Sequence, residues 1–324
     1  MSNTWNKAKG LKDYNVGDSF EGFLLVKGFT KGNARNGNPF LTVTLGDSTG
    51  DVRMMVWNAG AEEEKTFVPS TVMWFKGEIT EFQSNKQLNS FDYRTATPSD
   101  NVKPTDFLQK APIEGNVLLA RIVADIHNIE NETIREITLT ILNKYADEFK
   151  THPAAKSVHH AYVGGLAYHT YSMLNVGKAV CDLYPILNKD LIVAGIILHD
   201  IGKITEYTGY MNTEVTLEGK LKGHISIMNE EIGQTAKELG LDDKDEVLYL
   251  QHMVLSHHGL QSHGWGSAVS PQIIEANVLH RIDTMDAEMD AYIKAVGSTK
   301  QGEFTERIFG LDNRSFFNHG LNDK

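Results

Sequence analysis

The sequence contains very little cysteine and no long apolar run. Its single cysteine, Cys181, excludes an intrachain disulfide, which fits a reducing compartment such as the cytoplasm. No apolar stretch approaches the roughly 20 residues needed to cross a bilayer. The first residues, MSNTWNKAKGLKDY, contain no apolar segment of the kind found in a secretory signal. We therefore expect a cytoplasmic protein with no membrane partner.

Positive charge is also scarce, and it is unevenly distributed. The chain has 324 residues and a formal net charge of −11, which argues against a general nucleic-acid binder. Residues 1–100 carry 11 basic and 12 acidic side chains, and the rest of the chain carries 20 and 30. The acidity therefore lies in the second part, where basic patches or bound cations could still attract a polyanion.

The hydrophobic pattern changes near residue 100. Before this point, alternating segments such as FLTVTLGDSTGDVRMMVW predict strands joined by turns, and after it apolar residues recur at helical spacing. The polar stretch TATPSDNVKPTDF contains two prolines and predicts a connection between the two parts. We expect an N-terminal tail over 1–13, a β domain over 14–98, a linker over 99–115, an all-α domain over 116–297 and a C-terminal tail over 298–324.

A small β domain of this kind could be an SH3-like barrel, an OB-fold barrel or a sandwich. The hairpin FLTVTLGDSTGDVRMMVW resembles the central strands of OB-fold nucleic-acid-binding domains, and the resemblance covers roughly residues 14–98. It implies that these strands form the binding face. Aromatic residues would stack on unpaired bases and basic residues would contact phosphates; the candidates are Lys31, Arg35, Phe40, Arg53, Trp57, Lys76 and Lys86. For Phe40 and Trp57, packing in the barrel core is the alternative.

Histidines and aspartates recur at the ends of the predicted helical segments. They are His169, the pair His199–Asp200, His224, the pair His257–His258 and Asp283, at intervals of 30, 24, 33 and 25 residues. Antiparallel helices would bring such positions to one end of a bundle, where imidazoles and carboxylates are natural ligands for Mn, Fe, Co, Ni or Zn ions. A single histidine of this kind is more often structural, but the whole set is hard to explain without a metal.

This order of histidines and aspartates resembles the HD-domain metal-dependent phosphohydrolases, and HDIGK carries the pair for which that family is named. The resemblance implies a first ion at His169, His199, Asp200 and Asp283, and a second at His224, His257 and His258, with Asp200 as the bridge. Which of His257 and His258 binds which ion stays open. Two such ions can share a hydroxide that attacks a phosphodiester at neutral pH.

Lys203 follows the His–Asp pair on the same helical face, four residues after His199 and three after Asp200. Asp200 and Lys203 are therefore the candidate catalytic residues, and Lys203 would stabilise the negative charge that develops as phosphorus becomes five-coordinate. The alternative for Lys203 is a salt bridge to Asp200 or Glu206. His159 and His160, in KSVHHAYVGG, are candidates for the substrate entrance, or they cap or pack a turn.

An OB-like domain followed by a two-metal HD domain resembles the YhaM-like 3′→5′ exoribonucleases of Gram-positive bacteria. The similarity includes KSVHHAYVGGLAYHT, ILHDIGKITEY, TLEGKLKGHISI and FTERIFGLDNRSFF. It implies hydrolysis of single-stranded RNA, with some activity on single-stranded DNA, to nucleoside 5′-monophosphates, and dependence on two divalent ions, commonly Mn²⁺. Two alternatives stay open: an HD-type phosphodiesterase for nucleotides or cyclic dinucleotides, and a non-catalytic single-strand-binding protein with a metal-stabilised helical domain.

Overall fold

The chain forms two compact units, which meet in the sequence between residues 110 and 111. The computed structural model describes residues 9–34, 36–82, 85–156, 160–211, 213–264, 266–308 and 311–321. The first unit contains a β-barrel and the second contains packed helices, so the predicted fold class, an all-β barrel followed by an all-α domain, is confirmed. Within the described ranges, no helix is long and apolar enough to cross a membrane.

Five strands form the closed barrel of the first unit. They are β1 (Ser19–Asn33), β2 (Pro39–Gly46), β3 (Asp51–Trp57), β4 (Val72–Phe82) and β5 (Asn85–Thr95), with helix α1 (Ala61–Thr66) before β4. The strand order is β1-β2-β3-β5-β4, and the long strand β1 pairs with both β2 and β4 to close the barrel. This order fits the five-stranded Greek-key barrel expected of an OB fold.

Alternation along β2 decides which side chains fill the barrel. Leu41, Val43 and Leu45 are buried in the core, so the residues between them face outward. Phe40 lies opposite Trp57 on β3, and Trp57 is 60% exposed. The two aromatic rings therefore lie on the outside of the β2–β3 hairpin and do not pack in the barrel core.

The second unit is helical. Its helices are α2 (Gly115–His127), α3 (Glu132–Lys144), α4 (Ala146–Phe149), α5 (Gly165–Leu183), α6 (Lys189–Leu198), α7 (Lys203–Glu206), α8 (Leu217–Glu238), α9 (Asp245–Ser256) and α10 (Ile274–Gly297). In the predicted C-terminal tail, antiparallel bridges join Phe304 to Phe317 and Ile308 to Arg314. In the predicted linker, Pro104–Phe107 forms a 3-10 turn whose Phe107 is fully buried.

Helix α6 is the central helix of the second unit. Every residue from Leu191 to Leu198 is buried, as expected for a helix that is apolar on all sides. It packs against α3, α5, α9 and α10. At its N-terminus the Asn188 side chain accepts a hydrogen bond from the backbone N–H of Leu191 at 3.0 Å, which caps the helix. His199 directly follows the C-terminal end of the helix, so a polar side chain lies in the buried interior.

Candidate metal centre

Five segments of the second unit deliver the predicted metal ligands. His169 lies in α5, His199 and Asp200 follow α6, His224 lies in α8, His257 and His258 follow α9, and Asp283 lies in α10. These segments are separate in sequence, and each of them contributes to the same cluster of side chains. The helical packing therefore brings together all seven residues that the sequence pattern singled out.

Asp200 lies at the centre of this cluster, and its two carboxylate oxygens face different histidines. Oδ2 lies 3.3 Å from His199 Nε2 and 3.7 Å from His169 Nε2. Oδ1 lies 3.6 Å from His224 Nε2 and 3.9 Å from His257 Nε2. A carboxylate with one oxygen toward each of two nitrogen groups has the arrangement needed to bridge two cations.

Asp283 and His258 extend the two sides of the cluster. Oδ1 of Asp283 lies 3.3 Å from His169 Nε2, on the side of Asp200 Oδ2. On the other side, the ring centres of His258 and His257 are 4.2 Å apart, and potential ligand atoms of His224, His257 and His258 lie within 4.8 Å of one another. His224, His257 and His258 are therefore close enough to one another to hold one ion together.

Several polar atoms of the cluster are buried without a hydrogen bond. Among the described residues they include Nε2 of His199, His224 and His257 and Oδ1 of Asp200. Each buried polar atom of this kind costs about 1–3 kcal/mol if it stays without a partner. Imidazole nitrogens and carboxylate oxygens are the donor set that binds Mn, Fe, Co, Ni and Zn ions. The residues present therefore fit divalent cations.

Protonation within the cluster follows from burial and from neighbouring charges. Burial and the adjacent His258 lower the pKa of His257 well below its usual value, so this imidazole is neutral, the form that binds metals. Burial disfavours an ionised Asp200, but Lys203 and His199 hold its pKa well below the usual range. His169 is also buried, yet nearby carboxylates raise its pKa to about 10. A proton on His169 therefore competes with a cation.

Lys203 is nearly fully buried at the start of α7. Its Nζ donates a hydrogen bond to Asp200 Oδ2 at 2.7 Å, so the salt bridge that the sequence offered as an alternative is present. Burial opposes the charged form, but Asp200 raises the pKa of Lys203 above its ordinary value. An ammonium group has three N–H donors, so the bond to Asp200 is compatible with a further contact to a phosphate oxygen.

Two acidic residues outside the predicted set contact the ligand histidines. Asp286 Oδ2 accepts a hydrogen bond from His169 Nδ1 at 2.7 Å, and Glu206 Oε2 lies 2.9 Å from His224 Nδ1. The sequence held a signal for Asp286, because it follows Asp283 by three residues and so shares a face of α10. The sequence held no signal for the contact between Glu206 and His224. Glu206 ends the four-residue helix α7.

Two glycines allow the backbone to present His224. Gly223 has φ 70° and ψ 155° within α8, a conformation that residues with a side chain rarely adopt, and it kinks the helix directly before His224. Gly202, in HDIGK, packs against the His224 backbone, since a Cβ at this position would lie 2.3 Å from the His224 carbonyl oxygen. The motif that supplies His199 and Asp200 thus also fixes where His224 can lie.

His160 does not line an exposed entrance, which was one of its predicted roles. Its side chain is buried, and its Nε2 lies 2.8 Å from Asp286 Oδ2. Its Nδ1 lies 2.7 Å from the Tyr162 hydroxyl. The buried carboxylate of Asp286 therefore holds the His160 ring behind His169. His159 lies outside the described residues.

The β2–β3 hairpin of the first unit carries the predicted aromatic contacts. The Phe40 and Trp57 ring centres are 5.4 Å apart. Arg53 is exposed on β3 and pairs in register with Thr44 of β2. The hairpin therefore presents an aromatic pair and an exposed cation on its outer side.

The predicted basic contacts of the first unit are also exposed. They are Lys31, Arg53, Lys76 and Lys86, whereas Arg35 lies outside the described residues. Lys31 pairs with Glu64 at 2.7 Å and Lys76 pairs with Glu21 at 3.2 Å. Surface ion pairs of this kind contribute about 0–1 kcal/mol, so a phosphate could replace the carboxylate at little cost.

Residues 166–288 match the family model of the HD domain. The matched range begins in α5, three residues before His169, and ends in α10 after Asp286. It therefore contains all seven predicted ligands, Lys203 and the two acidic residues behind the histidines, but it does not reach His160. The second unit of this chain carries an HD domain, and this domain indicates a metal-dependent phosphohydrolase.

Proposed function

We propose that this protein is a 3′→5′ exoribonuclease that hydrolyses single-stranded RNA to nucleoside 5′-monophosphates. The observation that carries the proposal is the presence, in one chain, of an HD domain and a five-stranded barrel with an exposed aromatic and basic surface. An enzyme for free nucleotides has little use for such a barrel. The resemblance to the YhaM-like exoribonucleases supports the same activity.

Two divalent ions are the proposed cofactors, with Mn²⁺ as the first choice. His169, His199 and Asp283 would hold one ion, His224 and the His257–His258 pair would hold the other, and Asp200 would contact both. When bound, such ions would activate a water molecule and neutralise phosphate oxygens. The residues themselves contribute by holding their nitrogens and oxygens in a fixed, buried arrangement that needs little adjustment during the reaction.

Lys203 is the proposed catalytic cation of the chain. Its ammonium group would donate to a non-bridging oxygen of the scissile phosphate and stabilise the additional negative charge of the transition state. Asp200, which accepts from the same ammonium at 2.7 Å, would keep it charged and aimed at the reaction centre. Because Lys203 is buried, this interaction would be stronger than it is in water.

The barrel is the proposed grip on the RNA strand. Phe40 and Trp57 would stack on bases, and Arg53, with Lys31, Lys76 and Lys86, would contact the phosphates. Contacts of this kind are tolerant of base sequence, which suits an enzyme that degrades a strand nucleotide by nucleotide. The proposed substrate is therefore unpaired RNA, with single-stranded DNA as a weaker one.

End-labelled oligoribonucleotides distinguish the proposed activity from its alternatives. With Mn²⁺, a 3′-labelled single strand should release labelled mononucleotide at once, whereas a 5′-labelled strand should shorten progressively from its far end. EDTA should stop both reactions. Internal fragments at early times would contradict the exonuclease. An intact oligonucleotide beside hydrolysed nucleotides or cyclic dinucleotides would support the phosphodiesterase, and binding without any hydrolysis would support the single-strand-binding protein.

A further inference from the structure

Two of the ligand histidines are oriented by the main chain of their own segments. His199 Nδ1 lies 2.7 Å from the carbonyl oxygen of Ile196, and His257 Nδ1 lies 2.7 Å from that of Val254. In both cases the carbonyl group belongs to the helix that ends just before the histidine. These two rings are therefore fixed by helix geometry, and no side-chain substitution removes the acceptor.

For His169 and His224, the contact at Nδ1 is made by a carboxylate from a separate segment. His169 Nδ1 lies 2.7 Å from Asp286 Oδ2, and His224 Nδ1 lies 2.9 Å from Glu206 Oε2. A carboxylate that accepts from Nδ1–H fixes the tautomer and the ring plane, so that Nε2 presents its lone pair to a metal, and it makes that nitrogen more basic. On each side of Asp200, one histidine therefore contacts a backbone carbonyl group and another contacts a carboxylate.

We propose that Asp286 and Glu206 are positioning residues, each of which sets the metal affinity of one half of the centre through its own histidine. The proposal rests on the metal-dependent function proposed above and deepens it. Asp286 supports the half that contains Asp283, and Glu206 supports the half that contains the His257–His258 pair. Removing one carboxylate should weaken one ion and spare the other.

Asp286 is itself held from behind by His160. The His160 ring contacts the same oxygen of Asp286 that His169 contacts, at 2.8 Å, and the His160 backbone N–H donates to Asp290 Oδ2 at 3.0 Å. His160 has φ 48°, a conformation that costs a non-glycine residue about 1–3 kcal/mol. The surrounding contacts must offset this cost, and the contact between the His160 ring and Asp286 is one of them.

Glu206 is fixed by its own backbone. Its carbonyl group accepts a hydrogen bond from Thr216 N–H at 2.9 Å, and a Cβ at Gly219 would lie 2.5 Å from the same carbonyl oxygen. These contacts fasten the end of α7 to the start of α8, the helix that carries His224. The carboxylate and the histidine it supports are therefore parts of one tightly joined segment.

The trio of His160, His169 and Asp286 could instead be a metal site in its own right, because its potential ligand atoms lie within 4.8 Å of one another. The distances argue for hydrogen bonds. The two imidazole nitrogens lie 2.8 and 2.7 Å from the carboxylate oxygen, the usual length of a charge-assisted N–H···O bond. Ligands about 2.1 Å from a common ion would be about 3 Å or more apart.

Mn²⁺ titration of the full chain, without RNA, tests the proposal. Asp286→Asn and Glu206→Gln keep the shape and one acceptor oxygen but remove the charge. By isothermal titration calorimetry, Asp286→Asn should weaken one class of site about 10–100-fold, the effect expected for a residue that supports a metal ligand. Glu206→Gln should weaken the other class to a similar extent. The first class should be the one lost in Asp283→Asn, and the second the one lost in His258→Ala.

The matched control is Glu230→Gln, on the same helix as His224. Glu230 is exposed and pairs with Lys222 at 2.7 Å, so both affinities should stay at the wild-type values. Circular dichroism and thermal unfolding establish that each variant is folded. Should Asp286→Asn fail to fold, His160→Gly provides the test, because it relieves the positive φ, retains Asp286 and should weaken the same class of site to a smaller extent.

Three results would overturn the proposal. Folded Asp286→Asn and Glu206→Gln variants could bind both ions as wild type does, or either variant could weaken both classes equally. A third Mn²⁺ in the wild type that disappears in His160→Gly would show that the trio binds metal. Since RNA is absent from the titration, these outcomes are independent of whether the protein degrades RNA.

Discussion

The barrel and the helical unit place charged side chains in different environments, exposed in the barrel and partly buried in the helical unit. In the barrel, ion pairs such as Lys31–Glu64 lie on the surface, and the core is apolar. In the helical unit, the Lys203–Asp200 pair is buried within the candidate metal centre. Exposed pairs contribute about 0–1 kcal/mol, whereas breaking a buried pair strands a charge and costs about 3–5 kcal/mol.

Because of this difference, we expect substitutions in the two units to have different kinds of effect. The helical unit concentrates its chemistry in a few buried groups, each with a fixed partner, so single substitutions there should have large and specific effects. The predicted contacts of the barrel lie on an exposed surface, where one contact could substitute for another. Substitutions there should produce graded effects on substrate affinity and none on the chemical step.

The largest effect is expected for Asp200→Ala. This residue faces both groups of ligands, and its loss also leaves Lys203 without its carboxylate. Because changing a residue that merely supports a ligand costs about 10–100-fold, we expect more than about 100-fold loss of hydrolysis of bis-p-nitrophenyl phosphate. Elemental analysis after dialysis against Mn²⁺ should find neither ion. Asp243→Ala, at an exposed position, is the control; full metal content in Asp200→Ala would refute the central role of Asp200.

A smaller effect, confined to the chemical step, is expected for Lys203→Ala. If Lys203 stabilises the transition state, kcat should fall on the order of 10²–10³-fold while the Mn²⁺ content stays at the wild-type value. Lys222→Ala is the matched control, since Lys222 makes its ion pairs with Glu218 and Glu230 at the exposed surface. An unchanged kcat in Lys203→Ala would leave this residue with a structural ion pair only.

The smallest effect is expected in the barrel, for Trp57→Ala. Stacking on one base contributes about 1–3 kcal/mol, so KM for a long single-stranded RNA should rise about 5-fold or more. The value of kcat should not change, because the grip acts equally on the ground state and the transition state, and hydrolysis of the small phosphodiester should also be unaffected. Tyr184→Ala, a similarly exposed aromatic residue of the helical unit, is the control. An unaltered KM would separate the barrel from RNA binding.

The clustering of the candidate metal ligands could be predicted, because these residues recur about one helix and one connection apart. His199, Asp200, His257 and His258 follow helix ends as expected, whereas His169, His224 and Asp283 lie within α5, α8 and α10. Even so, His169 and Asp283, 114 residues apart in number, come within 3.3 Å. The proximity of both His257 and His258 to His224 required the structure, since adjacent residues have almost the same spacing to every other segment.

The residues behind the ligands were harder to predict for different physical reasons. Asp286 shares a helical face with Asp283 and could have been found by its spacing. Glu206 contacts His224 next to the kink at Gly223, and periodicity carries no information about such a kink. His160 depends on a positive φ, which local sequence rarely indicates for histidine. In the barrel, the outward orientation of Trp57 could be established only once the strand register was known.

The close approach of Gly202 to the His224 backbone sets a limit on how this chain can evolve. A single methyl group at position 202 would lie 2.3 Å from the carbonyl oxygen of His224, so even alanine would displace the backbone of this candidate metal ligand. In a saturation library selected for metal binding, position 202 should therefore tolerate glycine alone. Position 202 would then be as sensitive to substitution as the histidines and aspartates of the cluster, although glycine offers no atom to a metal.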